Sequence, residues 1–316
     1  MKLILFLVAT LVSYAVAIPP KNALTKRLKV QCPAYGAFIE NTRDPIYEYA
    51  MGGITMIQVF YSKVKENGFE DLEKSLNVKE EDYDRLAETA SKAMKALFDI
   101  DGSSSKLEDR VDKITDIYIR ARRIKRSSVV VKCNGIWLHD KDDKDKKYSG
   151  EAPPNGKQAF WSTLHEDWIF AQPSAKCPDG LQGTLVNVQM ASKAEVKKGP
   201  KVVMVICPMV LLEDEYKANE PQKFIDSRSA THFDDLLNAI STVVFHEYLH
   251  NAGLKDSITK DGNRIYSYKD VVNHVMSNSD EASDDVQNHL FLAVGGKLAL
   301  EGFEVDWKTG DISPTC

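Results

Sequence analysis

Beyond its first residues the sequence has no run approaching the roughly 18 consecutive apolar residues that a membrane-spanning helix needs. It has no excess of positive charge: 41 Lys and Arg stand against 46 Asp and Glu. The net charge of −5 gives no electrostatic case for nucleic acid. It contains no Cys-x-x-Cys pair, no internal repeat and no Asn-x-Ser/Thr sequon, so a cysteine-rich metal module and N-linked glycans are not expected. With 43% hydrophobic and 28% charged residues over 316 positions, disorder and collagen are excluded as well.

What is present begins with a secretory signal. Met1 to Ala17 carries a positive start at Lys2, an apolar run from Leu3 to Val12 and an Ala15-Val16-Ala17 cleavage pattern. The protein is therefore expected to be secreted and extracellular. Cys32, Cys133, Cys177, Cys207 and Cys316 remain after cleavage. In an oxidising compartment at least two disulfides are expected, one of them taking Cys316.

The pattern then divides. Residues 18–79 read as an N-terminal helical extension, with a helix around Ile46 to Glu66 that carries the unfavourable Gly52-Gly53 pair. Glu80 to Arg126 reads as two helices, through Leu86, Ala90, Met94 and Leu97 and then Leu107, Val111, Ile114 and Ile117. Strands are expected at Ser128–Lys132, Thr184–Met190 and Val202–Cys207. The mixed charge run Asp140 to Lys147 reads as a solvated loop. After Glu213 the chain is helical to near Leu300, with a polar loop from Asn251 to Tyr266. Helices, one small sheet, then helices give an α+β fold, with residues 80–316 as the main domain.

One segment carries the chemistry: His246-Glu247-Tyr248-Leu249-His250. A helix is expected over 232–251, opened by the capping-box-like Thr231-His232-Phe233-Asp234 and closed before Gly253. Leu236, Leu237, Ile240, Val243 and Val244 form its apolar stripe. Glu247 falls near the middle of that stripe, with His246 and His250 along its flank. A carboxylate there is costly to bury without a partner. Two imidazoles one turn apart can share one metal ion, and the Glu between them can work on a water at that metal. Seven His and nineteen Glu in this length produce roughly 0.01 such matches by chance. The expected cofactor is one catalytic Zn2+, which needs a third protein ligand. Asp256, Asp261, Asp270 and Glu281 are the candidates. Asp256 stands only six residues past His250, little length to double back, whereas eleven residues give Asp261 ample reach. His165-Glu166 lacks a second histidine and reads as loop, and His274 and His289 as core-edge or surface residues.

The arrangement resembles the deuterolysin-like, lysine-specific metalloendopeptidase family of fungal secreted proteases, the aspzincins. Ile206-Cys207-Pro208 is similar to that family's strand end, and His246 to His250 to its zinc helix. Tyr266-Ser267-Tyr268 matches its Tyr-Gly-Tyr element, and Val286 to Ala293 its final helix. The resemblance implies a zincin-like fold with His246, His250 and Asp261 as ligands, Glu247 as general base and Tyr266 as transition-state hydrogen-bond donor. The aspartate that receives the substrate lysine in lysine-specific members falls on Gln287, so no lysine preference carries over.

The expected function is a secreted zinc endopeptidase acting on proteins or peptides as a monomer, away from nucleic acid and membranes. Two alternatives stand beside it. One is a catalytically degenerate protease-like binding protein or effector. The other is a gluzincin-type peptidase with Glu281, in Asp280-Glu281-Ala282-Ser283-Asp284, as third ligand. Lys26-Arg27 is the favoured processing site. Arg123-Ile124-Lys125-Arg126 looks like a kexin site but continues a helix that would hide it.

Overall fold

Apolar spacing accounts for the helices at the start of the chain. After a short strand β1 (Lys29–Gln31) come α1 (Arg43–Val64), α2 (Glu80–Phe98) and α3 (Leu107–Arg123). α2 buries Leu86, Ala90, Met94 and Leu97 on one face. It ends where Asp99 turns left-handed and the amides of Asp99 and Ile100 close on the carbonyls of Lys95 and Met94. The computed structural model describes residues 29–31, 43–65, 78–123, 129–154, 156–178, 181–192, 200–212, 216, 219–259 and 261–315. The signal segment, Cys32, Cys316 and the basic pairs Lys26-Arg27 and Lys125-Arg126 lie outside them.

The middle of the chain forms two sheets where the sequence pattern suggested one. The strands are β2 (Val129–Lys132), β3 (Leu138–His139), β4 (Gln158–Ser162), β5 (Asp167–Ala171), β6 (Gly183–Asn187), β7 (Gln189–Met190) and β8 (Val202–Ile206). The first sheet has the order β1-β2-β8-β6, with β1, β2 and β8 parallel and β6 antiparallel at the edge. β8 is central, and Val203 to Ile206 are buried, as its continuous apolar run requires. The second sheet, β3-β4-β5-β7, is antiparallel and packs Phe160, Ile169 and Met190 against Val203 and Val205 of β8. The stretch expected as one strand over 184–190 breaks at Val188, whose N–H bonds to Lys201 O, so its halves join different sheets. The Asp140–Lys147 run is an exposed loop. Cys177 and Cys207 form a disulfide between the turn after β5 and the end of β8, and Cys133 is also bridged.

The last third holds α4 (Pro208–Leu212), α5 (Pro221–Ser227), β9 (Thr231–His232), α6 (Phe233–Leu236), α7 (Ile240–Asn251), α8 (Tyr268–Ser277), α9 (Val286–Leu300), β10 (Phe303–Val305) and β11 (Asp311–Pro314). β10, β11 and β9 form a third small sheet, a part of the chain expected to be helical or tail. α9 is buried on every side from Val286 to Ala299. α1 crosses it so closely that a Cβ on Gly52 would lie 2.5 Å from Lys297 N, and one on Gly296 2.6 Å from Gly52 O. Gly52, unfavourable for an isolated helix, is therefore required by the crossing. Helices and sheets together make an α+β fold. Among the described residues no helix is long and apolar enough to cross a membrane.

Candidate metal centre

The helix expected over 232–251 is two helices. His232 does cap a turn, accepting from Asp234 N while Asp235 accepts from His232 N, but that turn is α6 and ends at Leu236. Thr242 Oγ1 bonds to the carbonyls of Leu236 and Ala239, holding the break. α7 then starts afresh at Ile240, where Glu220 accepts from Ser241 N at 2.9 Å and from Ser241 Oγ at 2.6 Å. Nor is α7 amphipathic in place: Ile240 to Leu249 are all buried, against β6 and β8 on one side and α9 on another.

His246 and His250 occupy successive turns of α7. Their Nε2 atoms stand 3.1 Å apart. His250 Nδ1 donates to Leu254 O at 3.0 Å, which leaves the lone pair of a neutral ring on Nε2. The carboxylate beside them is that of Asp256. Its Oδ1 lies 3.4 Å from each Nε2 and, although buried, has no hydrogen-bond partner among the described residues. The three atoms form a triangle with edges of 3.1, 3.4 and 3.4 Å. Zinc bonds of about 2.0–2.1 Å at tetrahedral angles place ligand atoms about 3.3–3.4 Å apart. The donor set of two imidazoles and a carboxylate therefore fits such an ion in both chemistry and spacing.

Asp261, the expected third ligand, is not in this cluster. It sits exposed at the tip of a turn closed by Thr259 N to Asn263 O and Gly262 N to Thr259 O. The expectation underrated how sharply the chain reverses after α7. Gly253 takes φ +106°, and the amides of Gly253 and Leu254 bond back to His250 and Leu249 carbonyls. The returning strand is then pinned: Lys255 N donates to Asp284 O, and Ser257 N to Asp285 Oδ2 at 2.9 Å. Asp256 lies between those two anchors. Asp270 instead caps α8 with Ser267, and Glu281 is exposed, 3.6 Å from His274.

Glu247 is buried beside the triangle, its carboxylate within 4.8 Å of the histidine nitrogens. Gly183 at the start of β6 makes room for it, since a Cβ there would come within 3.2 Å of Glu247 Cγ. Burial raises the Glu247 carboxyl above its ordinary range, partly offset by the two histidines. Burial also opposes ionisation of Asp256, but the imidazoles beside it outweigh that and hold it well below the usual carboxylate range. For His250, burial lowers the pKa, and Asp256 and Glu247 raise it by more.

Tyr266 is half-exposed, its ring 6.1 Å from the His246 ring. Tyr268, two residues on, is a core residue stacked on Phe233 and donating to Trp307 O. A cleft of about 440 Å³ opens at His246 and Glu247 between Gly183 and Tyr266. Its wall includes Gln287, whose buried Oε1 has no hydrogen-bond partner among the described residues. A larger groove of about 870 Å³ between α2, α8 and β10–β11 carries no metal-binding cluster among the described residues.

Sequence reasoning missed Arg264, which touches both Asp256 and Tyr266. The Asp261-Gly262 turn between Ile258 and Ile265 was the signal for a hairpin that would have brought it in. His165 is buried in the β4–β5 turn, bonded to Ser162 Oγ and Pro200 O, and is structural. Comparison of the chain with protein-family models, curated proteins and solved structures returned no match.

Proposed function

We propose that the protein is a secreted zinc-dependent endopeptidase. The observation that carries this reading is the convergence of His246 Nε2, His250 Nε2 and Asp256 Oδ1 beside the buried Glu247 carboxylate. A His-His-Asp ligand set is also what the resemblance to aspzincins implies, with Asp256 taking the place first expected of Asp261. The accompanying finer fold is zincin-like.

His246, His250 and Asp256 would hold the ion. Bound zinc would supply Lewis acidity that polarises a carbonyl and makes a water easier to deprotonate. Glu247, pushed up by burial, is suited to take a proton from the attacking water and return it to the leaving amine nitrogen. Tyr266 Oη donates to the substrate carbonyl oxygen as negative charge develops on it. A peptide is the fitting substrate class because the cleft is bounded at Gly183 by the start of β6, an edge strand of its sheet among the described residues. An extended chain can pair with such an edge through its backbone. The disulfides and the apolar leader support an oxidising, extracellular destination.

The test is metal content and casein cleavage by the purified secreted protein, with and without a chelator, beside Glu247→Gln. One zinc per chain, chelator-sensitive cleavage and an inactive, zinc-loaded variant are expected. Equal cleavage by Glu247→Gln would overturn the proposal. Zinc binding without any cleavage would favour the protease-like binding protein.

A further inference from the structure

The segment after α7 is a hairpin, and its register decides which side chains share a face. Ile258 pairs with Arg264 in an antiparallel bridge, flanked by Thr259 N to Asn263 O and Ile265 N to Ser257 O. The same register sets Asp256 opposite Tyr266. Since side chains alternate along a strand, Asp256, Tyr266 and Arg264 fall on one face. The contacts follow: Arg264 Nη1 lies 3.2 Å from Asp256 Oδ2 and donates to Tyr266 Oη at 3.0 Å.

We infer that Arg264 is the positioning residue of the metal centre. By engaging Oδ2 it fixes the Asp256 carboxylate so that Oδ1 meets the two imidazoles. By donating to Tyr266 Oη it occupies a lone pair of that oxygen and leaves the phenolic proton for an acceptor in the cleft. Both contacts leave from one nitrogen, Nη1, whose two N–H groups are fixed in the guanidinium plane, whereas a lysine ammonium is a rotating point charge on a flexible stem. The inference rests on the zinc-peptidase reading and assigns Arg264 no contact with substrate.

The experiment compares wild type with Arg264→Gln, Arg264→Lys and Tyr266→Phe. It measures zinc(II) affinity by chelator competition, the visible spectrum of the cobalt(II) form, kcat and KM on a casein peptide, and the thermal midpoint of the metal-free protein. Loss of an outer partner of a metal ligand weakens binding about 10–100-fold. Arg264→Gln should show that loss with a changed cobalt spectrum and a lower kcat at similar KM. Arg264→Lys should recover part of the zinc affinity. Tyr266→Phe should lower kcat while leaving zinc affinity within about twofold. Because Arg264 is more than half exposed, the metal-free midpoints should agree, and Arg264→Lys decides should Arg264→Gln unfold. Zinc affinity and spectrum unchanged in Arg264→Gln would overturn the inference and leave the peptidase reading intact. A wild type that binds no zinc would overturn both.

Discussion

Two helices buried on every side, α7 and α9, pack against each other in the core and treat their histidines in opposite ways. On α9, His289 is fully buried, its Nε2 donating to Ser283 O and its ring set between Phe98 and Tyr118. Beside it Asn288 donates to the carbonyls of Leu97 and Ala282. On α7, His246 and His250 turn their Nε2 atoms toward each other and toward a carboxylate oxygen with no other partner among the described residues. Buried polar groups are ordinarily satisfied by backbone. Where several instead converge on one point, the arrangement stabilises a ligand better than it stabilises the fold.

That contrast can be broken by substitution. The largest effect belongs to Glu247→Gln, which should cut turnover by about 100-fold or more while zinc stoichiometry stays at one. Next, Asp256→Ala should weaken zinc binding by at least about 100-fold, more than loss of an outer partner would. Chelator competition measures it, and wild-type affinity in that variant would return the third ligand to open question.

On the α9 side the readout is stability against pH. Burial lowers the His289 pKa from 6.5 to about 4. The unfolded chain therefore binds this proton first, and the stability it withholds is lost as pH falls from about 6.5 toward 4. Between pH 7 and pH 5 that amounts to about 2 kcal/mol. Urea unfolding of His289→Gln at the two pH values should show a difference smaller by that amount, with zinc affinity unaltered. The smallest effect is expected at Asp261→Ala, on the exposed hairpin tip, where both zinc affinity and stability should match wild type within about 0.5 kcal/mol.

Local pattern reached the features that local physics determines. The stripe through Leu86, Ala90, Met94 and Leu97 marked α2, the run Val202 to Ile206 marked a central strand, and the spacing of His246 and His250 marked the site. What escaped depends on contacts between distant residues. The fresh start of α7 is held by Glu220, and the position of Asp256 by Asp284 and Asp285. Gly52 counted against a helix because its reason, the crossing with Gly296, lies 244 residues away. Arg264 drew no reading from the sequence, because only the hairpin register sets it beside Asp256.

The glycine crossing also sets a mechanical tolerance for the distant site. α9 is pinned where α1 passes at Gly296, and at its other end Asp285 anchors the strand that bears Asp256. Eleven residues of helix make a lever arm of about 16 Å between pivot and anchor. A tilt of only about 4° would move that anchor by roughly 1 Å, a displacement that can cost a reaction about 100-fold when it misplaces a reacting group. A single methyl at Gly52 is therefore expected to detune the candidate metal centre without touching it.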